Sequence, residues 1–146
     1  MIAPDDPQLR RIGEPGERGL ILYDGDCVLC SNWFRFVAQR DAEGKFLFTA
    51  IQSPYGRALA VRHGIDPNNP QSNAVLLDGN VNLRSDSAIA AISHLPGYGW
   101  VRGFRVIPKA LRDAVYSTIA RNRYNWFGKN EAYWLGGAKY ADRVIG

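Results

Sequence analysis

The chain is poor in sulfur and in histidine: its 146 residues hold two Cys, one Met and two His. Two cysteines cannot build a disulfide scaffold. The histidines, His63 and His94, stand singly and in no HxxxH-type pair, which leaves a zinc site within one chain short of ligands. No apolar stretch approaches the roughly 20 residues of a membrane span. The opening residues, Met1-Ile2-Ala3-Pro4-Asp5-Asp6-Pro7, carry neither a basic nor an apolar signal region, so a secretory leader is not expected. A glycine-rich phosphate loop is missing too, since Gly136-Gly137 lacks the GxGxxG spacing. There is no internal repeat and no low-complexity tract. What is present is a length suited to one domain with a real core. The composition, 46% hydrophobic and 22% charged, is ordinary for a soluble globular protein.

Charge is unevenly placed. Residues 1–99 carry nine Lys/Arg against eleven Asp/Glu, a balance of −2. Residues 100–146 carry nine against three, a balance of +6. Such a basic segment suits a solvated helix face, an anionic partner or a membrane surface. Trp100, Trp126 and Trp134 beside Arg and Lys keep peripheral membrane contact as an alternative. Nucleic acid is not expected, because no recognised motif supports it.

Hydrophobic periodicity gives the order of elements. Residues 1–17, rich in Pro, Asp, Glu and Arg, read as an extended or mobile lead-in. Residues 18–146 read as one domain. Strands are expected over 19–23, 46–50, 74–77 and 81–83, the last two joined by the hairpin turn Asp78-Gly79-Asn80. Helices are expected over 27–40, from Pro54 to Gly64 behind the cap Ser53, and from the cap Ser85 to about His94. The order is β-α-β-α-β-β-α, an α/β thioredoxin-like core. A helical extension covers about 98–128. Within it Leu111, Val115 and Ile119 form a stripe expected to be buried, with Arg112, Arg121 and Arg123 facing water or the rim of the site.

Both cysteines lie in Cys27-Val28-Leu29-Cys30, where a strand and the turn Asp24-Gly25-Asp26 feed a helix. Residues at i and i+3 share a helix face, so the two thiols are placed to close a disulfide. Free N–H groups and the helix dipole favour a thiolate there. Cys27, expected at the exposed first helical position, is the attacking thiol of this reading, and Cys30 the resolving one. Asp26 is expected to cap the helix. Asp24 reads equally as a proton carrier or as a turn residue holding Gly25. Tyr23 lines the site or ends the first strand. Trp33 reads as core, Ser31 and Asn32 as polar helix surface, and His63 and His94 as partners of helix C-termini. The competing carboxylates point to an intermediate reduction potential.

The run Tyr23-Asp24-Gly25-Asp26-Cys27-Val28-Leu29-Cys30 closely resembles the Y-D-G-x-C-x-x-C signature of the DCC-type thiol–disulfide oxidoreductase family. Ser85-Asp86-Ser87 resembles its S-D-A helix start, with Ser87 in place of Ala. Residues Pro108 to Tyr116 and Asn122 to Gly128 resemble its C-terminal blocks. The resemblance spans about residues 19 to 128 and implies a thioredoxin-like fold and disulfide exchange. Two departures stand out. Many members carry a further cysteine beyond the F-G pair, where this chain holds Tyr133. Thioredoxins place a proline, usually cis, immediately before the third strand, and Pro70 lies well upstream of Val75.

These residues read as a soluble, cytoplasmic thiol–disulfide oxidoreductase, a reductase that uses no cofactor. Its partners are a disulfide-containing protein or small molecule and a thiol or reductase electron donor. The alternative is a zinc-binding or partner-docking thioredoxin-like module with little turnover.

Overall fold

Two apolar pentapeptides, Gly19–Tyr23 (β1) and Phe46–Ala50 (β2), are buried at every position. They pair in parallel from Gly19 opposite Phe46 to Tyr23 opposite Ala50. Continuous burial is what a parallel pair covered on both faces requires. The computed structural model describes residues 2–68, 70, 72–128 and 138–146. Ala74–Leu77 (β3) runs antiparallel to β1, and Asn80–Leu83 (β4) antiparallel to β3. The β3–β4 loop is Asp78-Gly79, both at positive φ (51° and 79°), the mirror-image turn that matches strand twist. Val144–Ile145 (β5) adds a short parallel edge beside β2, giving the order β4-β3-β1-β2-β5.

Helix α1 (Val28–Arg40) crosses from β1 to β2, α2 (Pro54–Arg62) follows β2, and α3 (Ser85–Ser93) follows β4. Strand side chains alternate between faces. On one face Ile21, Tyr23, Phe46 and Phe48 meet Phe34 and Val37 of α1 and Ala90 and Ala91 of α3. On the other, Leu20 and Leu47 meet Leu59 of α2, and Leu22 meets Ala60. This is a thioredoxin-like α/β fold. Gly56 marks the close approach of α2 to β2, since a Cβ there would lie 1.9 Å from the Ala50 carbonyl oxygen.

Four expectations need correction. The lead-in is not extended. Pro7–Arg11 forms a short 3-10 helix, Leu9 enters the core, and Ile2 bridges to Ile145. The cap of α3 is Arg84, at φ 53°, with Ser85 as the first helical residue. The cap of α1 is Cys27, not Asp26. The last correction is the largest. Gly99–Val106 forms a 3-10 stretch and Lys109–Phe127 forms α4, but the stripe on α4 is not buried. Leu111, Val115 and Ile119 are 58%, 55% and 37% exposed.

Polar clamps hold α4 in place of that stripe. At its start Arg112 donates to Ser85 Oγ and Asp86 Oδ1, both at 2.9 Å, and Lys109 bridges Asp86 and Asp113 at 3.0 and 2.8 Å. Ser85 Oγ donates to Asp113. At its end Gly128 accepts from the Val28 N–H at 3.3 Å. Arg123, expected at the rim, is buried against Asp24.

Candidate active site

The turn after β1 is shaped by Asp24. Its Oδ1 accepts from the Asp26 N–H at 3.0 Å, and its carbonyl accepts from the Cys27 N–H at 3.2 Å. An aspartate bonding its own backbone two residues on is a standard way to turn a chain. Asp26 lies within that turn, and the helix starts at Val28, so the flanking residue is Cys27. Cys27 adopts extended backbone (φ −88°, ψ 121°), and its Sγ accepts from the Cys30 N–H at 3.2 Å. The thiol sulfur therefore takes one of the free N–H groups that open every helix. Ser31, expected at the helix surface, is buried and donates its hydroxyl to the Cys27 carbonyl at 3.0 Å. Gly25 donates its N–H to Gln52 Oε1 at 2.9 Å, tying the turn to the end of β2.

Both cysteines are free thiols, and they are not equivalent. A hydrogen bond from the Cys30 thiol holds Cys27 below the ordinary thiol range. The Cys30 N–H and the Arg123 charge act in the same direction, against burial and the Asp24 carboxylate. The Cys30 thiol is pushed well up, first by its hydrogen bond to Cys27, then by burial and by the negative charges of Cys27 and Asp24. Exposure divides the other way. Cys27, expected to meet solvent, has no accessible surface, whereas Cys30 is 7% exposed and lines a cavity of about 360 Å³. The cap position explains this, because it turns the Cys27 sulfur back over the first helical turn.

Asp24 is 1% exposed and has both oxygens occupied. Besides the Asp26 N–H, Oδ1 accepts from Gln52 Nε2 at 2.7 Å. Oδ2 accepts from Arg123 Nη2 at 3.3 Å and from the Tyr124 hydroxyl. Arg123 also donates to the carbonyls of Pro70 and Ala120, and its guanidinium lies 4.5 Å from the Tyr124 ring centre. Burial, and next the bond to Asp24, pushes the Tyr124 hydroxyl up. This group joins the turn, the end of α4 and the loop before β3.

The expected residues divide as follows. Cys27, Cys30, Asp24, Gly25 and Asp26 form one turn. Tyr23 does not line the cavity. It ends β1 inside the core, edge-on to Phe34 at 5.1 Å, and burial pushes its hydroxyl up. Trp33 is half-buried and lines the cavity, as do Pro70 and Tyr116. His63 and His94 follow the C-termini of α2 and α3 and do not line it. Among the described residues no group of three His, Cys, Asp or Glu is arranged to hold a metal ion. Tyr133, Trp134 and Gly136-Gly137 lie outside the described residues. Sequence reasoning missed Gln52 and Tyr124 and placed Arg123 in water or at the rim of the site; the signal for Tyr124 was the family-like block Asn122 to Gly128.

Comparison with known proteins gives a coherent result. The profile of the DCC1-like thiol-disulfide oxidoreductase family matches residues 21–129. The chain is 40% identical over 117 residues to the uncharacterized protein YuxK of Bacillus subtilis, covering 80% of this chain and 85% of that one. It is 28% identical over 121 residues to a chloroplastic DCC family protein of Arabidopsis thaliana, covering 82% and 70%. No solved structure gives a significant match.

Proposed function

The chain belongs to the DCC1-like thiol-disulfide oxidoreductase family, and from that premise we propose that Cys27 and Cys30 are its redox couple, working as a reductase in a reducing compartment such as the cytoplasm. The observation that carries this reading is the pair itself. Two thiols sit at i and i+3 on the opening turn of a helix, the Cys27 sulfur accepting the Cys30 N–H at 3.2 Å, with Cys27 held below the ordinary thiol range and Cys30 above it. The Cys27 thiolate attacks one sulfur of a substrate disulfide. The substrate S–S bond breaks, a Cys27–substrate disulfide forms, and the other substrate sulfur leaves as a thiolate. Cys30 then gives its proton to that leaving thiolate and attacks Cys27 Sγ. The Cys27–Cys30 disulfide closes and the second substrate thiolate is released. Two electrons have passed to the substrate, and a thiol or dithiol donor restores the pair. Asp24 acts as the anchor of the turn beside the thiols, its oxygens already engaged by Asp26, Gln52, Arg123 and Tyr124.

One observation favours a second order of events: the cavity opens on Cys30, not on Cys27. On that reading the substrate meets Cys30 first, and Cys27 resolves. The test is trapping with an aromatic disulfide. Cys30→Ser is expected to accumulate a mixed disulfide on Cys27, and Cys27→Ser to react slowly. The reverse pattern selects the second order. If neither sulfur reacts in the wild type, and the pair stays alkylatable under mild oxidation, the redox reading fails.

A further inference from the structure

Apolar side chains left in the open are concentrated in one part of this molecule. Trp100, Phe104, Val106, Leu111, Val115 and Ile119 are all exposed and lie within twenty residues of one another. They do not form a flat patch. A trough of about 620 Å³ runs between α4, α3 and the 3-10 stretch Gly99–Val106, with Phe36, Ile89 and Ile92 as its floor. Ala88, Tyr116 and Ile119 line both this trough and the cavity beside Cys30. The two therefore share a wall, and the inner one is lined by a thiol, that of Cys30.

We propose that the two join into one apolar channel that binds an apolar polypeptide segment with an acidic flank, the stretch of a substrate protein around its cysteine. The proposal rests on the redox reading above for the identity of that cysteine. Three observations point to this occupant. First, the charged groups of the lining are already engaged. Asp24 and Arg123 pair with each other in the inner lobe, and Arg112 is held by Asp86, Ser85 and the Ile107 carbonyl in the outer one. The charges are therefore not free to bind a charged ligand, whereas the walls offer a surface to apolar side chains.

Second, Trp33 lines the inner lobe, and its indole N–H is buried with no hydrogen-bond partner among the described residues. Buried donors are nearly always paired. A peptide carbonyl entering the lobe supplies the acceptor. Third, Arg102 and Arg105 sit on the same short segment as Trp100 and Phe104. Both are exposed and make no hydrogen bond or ion pair among the described residues. They offer an acidic residue a partner at the rim of the outer lobe. A second copy of the chain is a poorer occupant, since a two-fold pairing of this face brings Arg102 and Arg105 toward their own counterparts. A bilayer is poorer too, because the face is concave.

The test uses the full chain carrying Cys27→Ser and Cys30→Ser, so that binding is read without redox chemistry. The probe is a fluorescent, cysteine-free peptide of Leu and Phe with a glutamate-rich end, titrated by anisotropy. Saturable binding is expected, with a lysine-ended peptide at least about tenfold weaker. Val115→Glu places a charge in the trough at an exposed position and is expected to weaken binding by about tenfold or more, with an unchanged circular dichroism spectrum. Arg102→Glu with Arg105→Glu is expected to reverse the preference between the two ends. Absence of peptide binding, or binding indifferent to Val115→Glu, overturns the proposal. So does a dimer that Val115→Glu dissociates, or binding of anionic phospholipid vesicles in place of the peptide. Peptide binding retained by a protein whose wild-type thiols never exchange removes the redox reading and leaves the channel standing.

Discussion

Arg123→Met is the most informative single change, because it strikes both the fold and the thiols. Arg123 Nη2 lies 3.3 Å from Asp24 Oδ2, and both side chains are buried. At an effective dielectric of ~20 the gross attraction across that gap is about 5 kcal/mol. Removing one partner of a buried pair costs about 3–5 kcal/mol. The lower end is expected here, about 3 kcal/mol, because Asp26 N–H, Gln52 and Tyr124 still serve the carboxylate. Part of that cost comes from the carbonyl of Pro70, which loses the Arg123 donor. Met fills much of the space of the Arg stem, which keeps the packing loss small.

The assay is urea unfolding of the wild type, Arg123→Met, Asp24→Asn and the double variant, followed by tryptophan fluorescence. Neutralising Asp24 removes the charge that Arg123→Met strands, so the double variant is expected to be more stable than the sum of the single effects, by about 2 kcal/mol. The thiols give a second readout that a purely structural role does not move. Arg123 lowers the Cys27 pKa and Asp24 raises it. Arg123→Met is therefore expected to shift Cys27 upward and Asp24→Asn to shift it downward. Additivity within about 0.5 kcal/mol, or both variants moving Cys27 in one direction, would refute the coupling argued here.

Two further outcomes follow from the same geometry. Thiolate absorbance against pH is expected to show Cys27 ionising below the usual thiol value of about 8.5 and Cys30 above it. Cys30→Ala is expected to raise the Cys27 midpoint, since it removes the largest stabilising contact, and a midpoint that stays put or falls contradicts that cause. Truncation after residue 99 removes Arg123, Tyr124 and the α3 clamp together, and an aggregating or unfolded product is expected by size-exclusion and circular dichroism. A soluble, cooperatively melting truncate with reactive thiols would show that the clamps are dispensable.

The sheet and the first three helices were legible because their signals are local. Continuous burial along 19–23 and 46–50, the Asp78-Gly79 turn and the Ser53-Pro54 helix start each follow from residues close in sequence. Strand β5 was not legible. It holds two residues, and its identity comes from pairing with Phe48 and Thr49, nearly a hundred positions away. The cap of α1 failed for a subtler reason. Asp26 is the better capping residue by type, but the Asp24 turn takes up Asp26 and the helix begins only at Val28, so the flanking position falls on a cysteine. For α4 the periodicity was read correctly and its consequence was not. A stripe at Leu111, Val115 and Ile119 signals an apolar face, but not what covers it. Arg112 and Arg123, beside it, were expected to face water or the rim of the site and instead make contacts that hold the helix.

That inversion bears on how the site works. A helix fixed by its own stripe would have spent the stripe on the core. Here polar bonds along α4, through Arg112, Tyr116, Ser117 and Arg123, fix the helix, and its apolar face stays free to line the proposed channel. The clamp at the far end is also the electrostatic setting of the thiols. Arg123 favours charge on Cys27, and the Asp24 carboxylate it holds opposes that charge. Neither can be altered without disturbing the seat of α4, and α4 cannot shift without exposing Asp24. The buried Asp24–Arg123 contact is therefore at once the seat of the helix end and the balance of charge beside the thiols.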